Sequence, residues 1–109
     1  MDNWQEKLKL YDELISKCPR FERLGKAMPY TSANGYMFSA LNKAGEIGIR
    51  FSKEIQEKYM QELDTTFFLS YGAKMKGYIL IPEEMLKDLD NVSKYLNVSY
   101  DYVMSLKKK

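Results

Sequence analysis

The sequence predicts a two-layer α+β domain, an antiparallel sheet with helices packed on one face, in the order α-β-β-β-α-β-β-α. Three observations lead there. Apolar residues recur at helical spacing near the start, the middle and the end of the chain. Between them lie short alternating runs rich in β-branched and aromatic residues, separated by Asn-Gly and Gly signals that mark tight connections. Tight connections join antiparallel neighbours, because parallel strands need a long crossover.

Residues 3–18 read as an amphipathic helix with Trp4, Leu8, Tyr11, Ile15 and Cys18 on one stripe, widened by Leu14. Asn3 suits the N-cap, and Glu6 completes a capping-box spacing. Pro19 ends the helix by disfavouring helical geometry at Cys18. Gly25 and Pro29 make the next link irregular, with Phe21 and Leu24 expected to return to the core. A first strand falls within residues 27–33, at a sheet edge because Pro29 has no N–H to donate to a ladder. Asn34-Gly35 tolerates the positive φ of a type I′ hairpin. The second strand is Tyr36–Leu41, residues 42–45 turn, and residues 46–51 form the third strand. There Ile47, Ile49 and Phe51 face the core, while Glu46, Gly48 and Arg50 face a partly wet side.

Ser52 caps a second helix that runs to about Leu63 and buries Ile55, Tyr59, Met60 and Leu63. Glu54 and Lys58 are spaced as an exposed i, i+4 pair. Residues 66–71 and 78–81 are the last two strands, with residues 72–77 as a mobile hairpin loop bearing Lys74 and Lys76. Pro82 stops the strand and starts a short helix, where Glu83 and Glu84 meet the positive end of the helix dipole. A longer helix begins near Asn91 with Val92, Leu96, Val103 and Leu106 on one stripe. Asn97-Val98-Ser99 is expected to bend or split it. Residues 1–106 thus make one domain, and residues 107–109 a disordered lysine tail.

The chain has no histidine, which excludes Ser-His-Asp and Cys-His triads, histidine bases and Cys₂His₂ zinc sites together. The one cysteine, Cys18, has no activating neighbour and reads as a small core hydrophobe. Gly45, Gly48, Gly72 and Gly77 have neither phosphate-loop nor dinucleotide spacing. Glu83 and Glu84 are adjacent, so they point in different directions on a helix, and Asp88 and Asp90 read as loop and cap residues. No catalytic residue, metal ligand or cofactor is therefore assigned. No apolar run spans a bilayer, and the N-terminus lacks the basic and apolar parts of a signal peptide. A cytoplasmic location is expected, and the two Asn-Val-Ser triplets are then chance matches to glycosylation acceptors.

Net charge is +2, too balanced to imply nucleic-acid binding through total charge. Its distribution is uneven. Lys17, Arg20, Arg23 and Lys26 form a basic stretch broken by Glu22, whereas residues 82–101 are acidic. Among the nine tyrosines, Tyr11, Tyr59 and Tyr95 belong to helical stripes. Tyr30, Tyr36, Tyr71 and Tyr78 lie in or beside strands, and with Arg50, Lys74 and Lys76 they form a candidate partner-binding surface.

The order of elements and several local motifs resemble the N-terminal domain of the TfoX/Sxy family of bacterial competence regulators. Met28 and Gly35-Tyr36-Met37-Phe38 match a methionine before a Gly-x-Met-Phe strand, and Ile47-Gly48-Ile49-Arg50 matches the next strand. Phe67 and Phe68 match a Phe-containing strand, and Tyr78, Pro82, Glu83 and Glu84 match a closing Tyr-x-x-x-Pro-Glu-Glu segment. The likeness covers residues 24–102; Pro29-Tyr30-Thr31 stands where the family has Phe-Gly-Gly, and the family's C-terminal helical domain is outside the sequence. It implies a secretion-chaperone-like α+β fold and, with the open sheet and the aromatic content, a non-enzymatic regulatory or adaptor role in which a protein partner binds the sheet or an edge strand. A nucleic-acid-associated transcription regulator is the alternative, and an enzyme the third reading. A homodimer is expected if the first strand or last helix leaves apolar surface exposed.

Overall fold

The computed structural model describes residues 3–109, and the cap expected of the Asn3 side chain lies outside what is described. The elements are α1 (Asn3–Ser16), β1 (Tyr30–Ala33), β2 (Tyr36–Leu41), β3 (Ile47–Arg50), α2 (Lys53–Glu62), β4 (Phe67–Ser70), β5 (Ala73–Leu80), a 3₁₀ turn (Glu83–Lys87) and α3 (Leu89–Ser105). This is the expected α+β order. The five strands form one antiparallel sheet in the order β1-β2-β3-β5-β4, so β1 is an edge strand as Pro29 implied.

The helices pack on one face. Tyr11, Leu14, Ile15 and Cys18 of the first segment meet Phe38, Ile47, Ile49, Phe51 and Ile79 of the sheet, and Val92, Leu96 and Val103 of α3. Polar groups trapped in this layer are paired. Tyr11 Oη lies 2.7 Å from Ser39 Oγ, which also contacts the Thr31 hydroxyl. Asn34-Gly35 turns with φ of 57° and 83°, both positive as a type I′ hairpin requires. The Asn34 amide then donates 2.8 Å bonds to the Val103 and Leu106 carbonyls, capping the end of α3.

The sheet's other face differs most from expectation. Residues 72–77 are not a mobile loop: β5 starts at Ala73, and Tyr71-Gly72 alone makes the turn, with φ of 53° and 78°. The register against β4 shifts between Phe67↔Ile79 and Leu69↔Lys74, which leaves extra residues on β5. The hairpin bends there and folds back across the helix-free face. Phe68 comes to rest on Gly48, where any Cβ would overlap its ring. Ala40, Phe68 and Tyr78 form a second buried cluster, flanked by Tyr30, Met37, Met75 and Leu80 and containing no helical residue. The face expected to be partly wet at Gly48 is therefore dry.

Smaller departures have local causes. Leu24 does not return to the core; its backbone pairs with Tyr30 while its side chain stays exposed. On α2 the buried residue is Gln56, with Ile55, Tyr59, Met60 and Leu63 only half-buried. Lys58 pairs with Glu62 (3.9 Å), not with Glu54. The helix near Asn91 starts earlier, with the Asp88 carboxylate accepting from Asn91 N. It runs unbroken through Asn97-Val98-Ser99, because buried Ser99 lets α3 approach the sheet and donates to the Arg50 carbonyl. Residues 107–109 lie against the β1–β2 turn: Tyr36 Oη donates to the Lys107 carbonyl at 2.7 Å, and Lys109 Nζ sits 5.3 Å from the Tyr36 ring.

Tyr78 Oη is buried without a hydrogen-bond partner among the described residues. An unsatisfied buried hydroxyl costs about 1–3 kcal/mol, so Tyr78→Phe is expected to stabilise the domain by about 1 kcal/mol in urea denaturation. Burial also holds the Tyr78 and Tyr11 phenols protonated above the ordinary tyrosine range. The unfolded chain releases these protons from about pH 10 and the folded chain keeps them. Stability is accordingly full below that pH and falls as pH rises above it, with a shallower fall in Tyr78→Phe.

Candidate functional site

A concave site forms where β3 ends. Because Ile49 and Phe51 turn into the core, Arg50 between them is directed to the opposite face. Ser52 breaks the strand, and its Oγ accepts from Ile55 N at 3.3 Å, which sets Lys53 at the first position of α2. One turn on, Gln56 Nε2 donates to the Tyr78 carbonyl at 2.9 Å and locks α2 to β5. Gly77 then bends β5 with φ of 85°, and its carbonyl accepts from Phe51 N at 2.9 Å. A side chain at Gly77 would crowd the Phe51 carbonyl at 3.1 Å, so glycine is required on both counts.

That bend carries Lys74, Met75 and Lys76 to the mouth of a crevice of about 420 Å³. Arg50, Phe51, Lys53 and Gln56 line it from β3 and α2, Phe67 from β4, and Tyr102 from α3. Phe51, Phe67, Tyr102 and Met75 give it apolar walls, and Arg50, Lys53, Lys74 and Lys76 a cationic rim. The Arg50 guanidinium lies 5.5 Å from the Tyr36 ring and 5.8 Å from that of Tyr102, and Lys74 Nζ lies 4.3 Å from that of Phe67. Among the described residues, Arg50, Lys53, Lys74 and Lys76 make no ion pair, whereas Lys7, Lys17, Arg20, Arg23 and Lys58 each do. Four cations without an ion pair thus converge on one concavity.

The structure brings three of the seven surface candidates together here, Arg50, Lys74 and Lys76, with Tyr36 beside them. Tyr71 stands apart at the β4–β5 turn, 74% exposed, with Lys43 Nζ 5.3 Å from its ring. Tyr30 is half-buried in the second cluster. Tyr78 is a correction: only 4% exposed and stacked on Phe68, it is an internal residue and not a surface one. Lys53, Gln56, Phe67 and Tyr102 carry no sequence signal for the site. They belong to separate elements that only the folded sheet brings together.

Most of the basic stretch has acidic partners within the chain. Lys17 pairs with Asp90 at 3.0 Å. Arg20 reaches Asp101 at 2.9 Å and Asn97 at 2.8 Å, with Tyr100 beneath its guanidinium. Arg23 clasps both oxygens of Asp12. Only Lys26 of the four is left without a carboxylate among the described residues. Three of the five acids at residues 82–101 are thus paired inside the chain, Asp90, Asp101 and, through Lys7, Glu83. Cys18 is buried with its Sγ 3.8 Å from the Leu14 carbonyl, and burial pushes the thiol up, as suits a packing residue.

Among the described residues no helix is long and apolar enough to cross a membrane, and no three His, Cys, Asp or Glu side chains are grouped as a metal set. Comparison with protein-family models, with curated proteins and with solved structures finds no match.

Proposed function

We propose that this chain is a non-enzymatic regulatory or adaptor domain of the cytoplasm that binds a protein partner through the crevice beside β5. One observation carries the reading: four cations without a carboxylate partner among the described residues are gathered around a single concavity that has aromatic side chains in its lining. The strand edges are less suited to recognition. The backbone of Leu24 already occupies part of β1, and Asn42 holds the Leu69 carbonyl of β4 at 2.8 Å. The TfoX/Sxy resemblance supports a regulatory role.

Crosslinking and pull-down from the native cell test this. The wild-type chain is expected to recover a defined protein, and Arg50→Glu with Lys74→Glu to lose it while remaining folded. Recovery of no specific protein under several growth conditions would count against any partner-binding role. The alternative, a nucleic-acid-associated regulator, is the less favoured reading because Lys17, Arg20 and Arg23 are engaged with Asp90, Asp101 and Asp12. Steeply salt-dependent binding to an oligonucleotide would restore it.

A further inference from the structure

Resting on that reading, we infer that the crevice takes an extended acidic segment of the partner, with one large apolar side chain seated among Phe67, Met75 and Tyr102. The chemistry of the rim selects carboxylates. Arg50 is a planar fork suited to bidentate carboxylate binding, and the three lysines are point charges around it. Lys74 and Lys76 stand two residues apart on β5, a spacing of roughly 6.6 Å that alternate side chains of an extended peptide repeat.

Phosphate chemistry fits less well. A phosphate cradle uses converging backbone N–H groups from a Gly-rich turn. Gly77, the crevice glycine, has no glycine neighbours, so no Gly-rich turn presents such N–H groups here. Nucleic-acid bases need open ring faces to stack on. Here each ring already has one of the chain's own cations beside it, Lys74 at Phe67 and Arg50 at Tyr36 and Tyr102, which leaves room between them for one side chain but no open platform for successive bases. The outward N–H groups of those cations remain to bind anions, while the apolar floor between them accepts a side chain.

The test is titration of the ¹⁵N-labelled full chain with capped peptides, followed by NMR. The probe Glu-Asp-Phe-Asp-Glu is expected to shift amides at residues 50–56 and 74–77 and to saturate. Replacing its Phe by Ala, or its acids by Lys, should weaken binding at least tenfold. Arg50→Ala with Lys74→Ala should abolish the localised shifts, and the spectrum of that variant reports whether it is folded. Shifts scattered over residues 107–109, or tighter binding of an oligothymidylate of equal charge, would overturn the inference. A cellular partner retained by the Arg50→Glu, Lys74→Glu variant would overturn the crevice assignment and leave partner binding standing. A peptide that binds while the cell yields no partner would do the reverse.

Discussion

Replacing Gly48 by alanine is expected to destabilise the domain by about 2–3 kcal/mol, a large effect for one methyl group. The added carbon would overlap the Phe68 ring, which is wholly buried and has no room to retreat. Phe68→Ala alone should cost about 3–5 kcal/mol, since it empties the centre of the second cluster. The informative result is the double variant. With the ring gone, the alanine at position 48 has space, so the pair should cost little more than Phe68→Ala alone. A coupling of about 2 kcal/mol in a double-mutant cycle by urea denaturation is predicted. Additive losses would show that the hairpin does not lie on β3.

Asn42→Ala is the second large effect, expected at about 2–3 kcal/mol. The Asn42 amide donates to the Leu69 carbonyl (2.8 Å) and the Glu46 carboxylate (2.9 Å), and its oxygen accepts from Glu46 N at 2.8 Å. One side chain thereby shapes the β2–β3 turn and pins the folded-back hairpin to it. Hydrogen exchange should show protection lost at residues 67–76 and kept in β1 and β2. Asn42→Asp should not rescue, because a carboxylate cannot donate to the Leu69 carbonyl. Loss spread evenly over the sheet would contradict a local pin.

Much of the fold was legible because the relevant signals are local. The alternation at Ile47, Ile49 and Phe51, the Asn34-Gly35 turn and the Ser52 cap each depend on a few neighbouring residues, and each recurs in the structure. Residues 72–77 misled for an equally physical reason. Lys74 and Lys76 lie on the outer side of a strand that bends, and Gly77 looks like a boundary when it is a bend within β5. Tyr71 also hides the real turn, because a tyrosine at positive φ is uncommon. The candidate site was half visible. Arg50, Lys74 and Lys76 were singled out by type and position, but their freedom from carboxylates depends on where every acid settles. Arg20 and Asp101, 81 residues apart, show why that was beyond reach of sequence pattern.

The ion pairs that join the first segment to the last also bear on how the chain folds during synthesis. Lys7 meets Glu83, Lys17 meets Asp90 and Arg20 meets Asp101, while α1 packs chiefly against α3 and β2. Helix α1 leaves the ribosome well before α3 and therefore waits for it before its apolar stripe is fully covered. Contacts so distant in sequence slow folding, and until they close the stripe of Tyr11, Leu14 and Ile15 is open to other chains. Ribosome-bound chains halted before α3 should be markedly more dependent on chaperones than the finished domain.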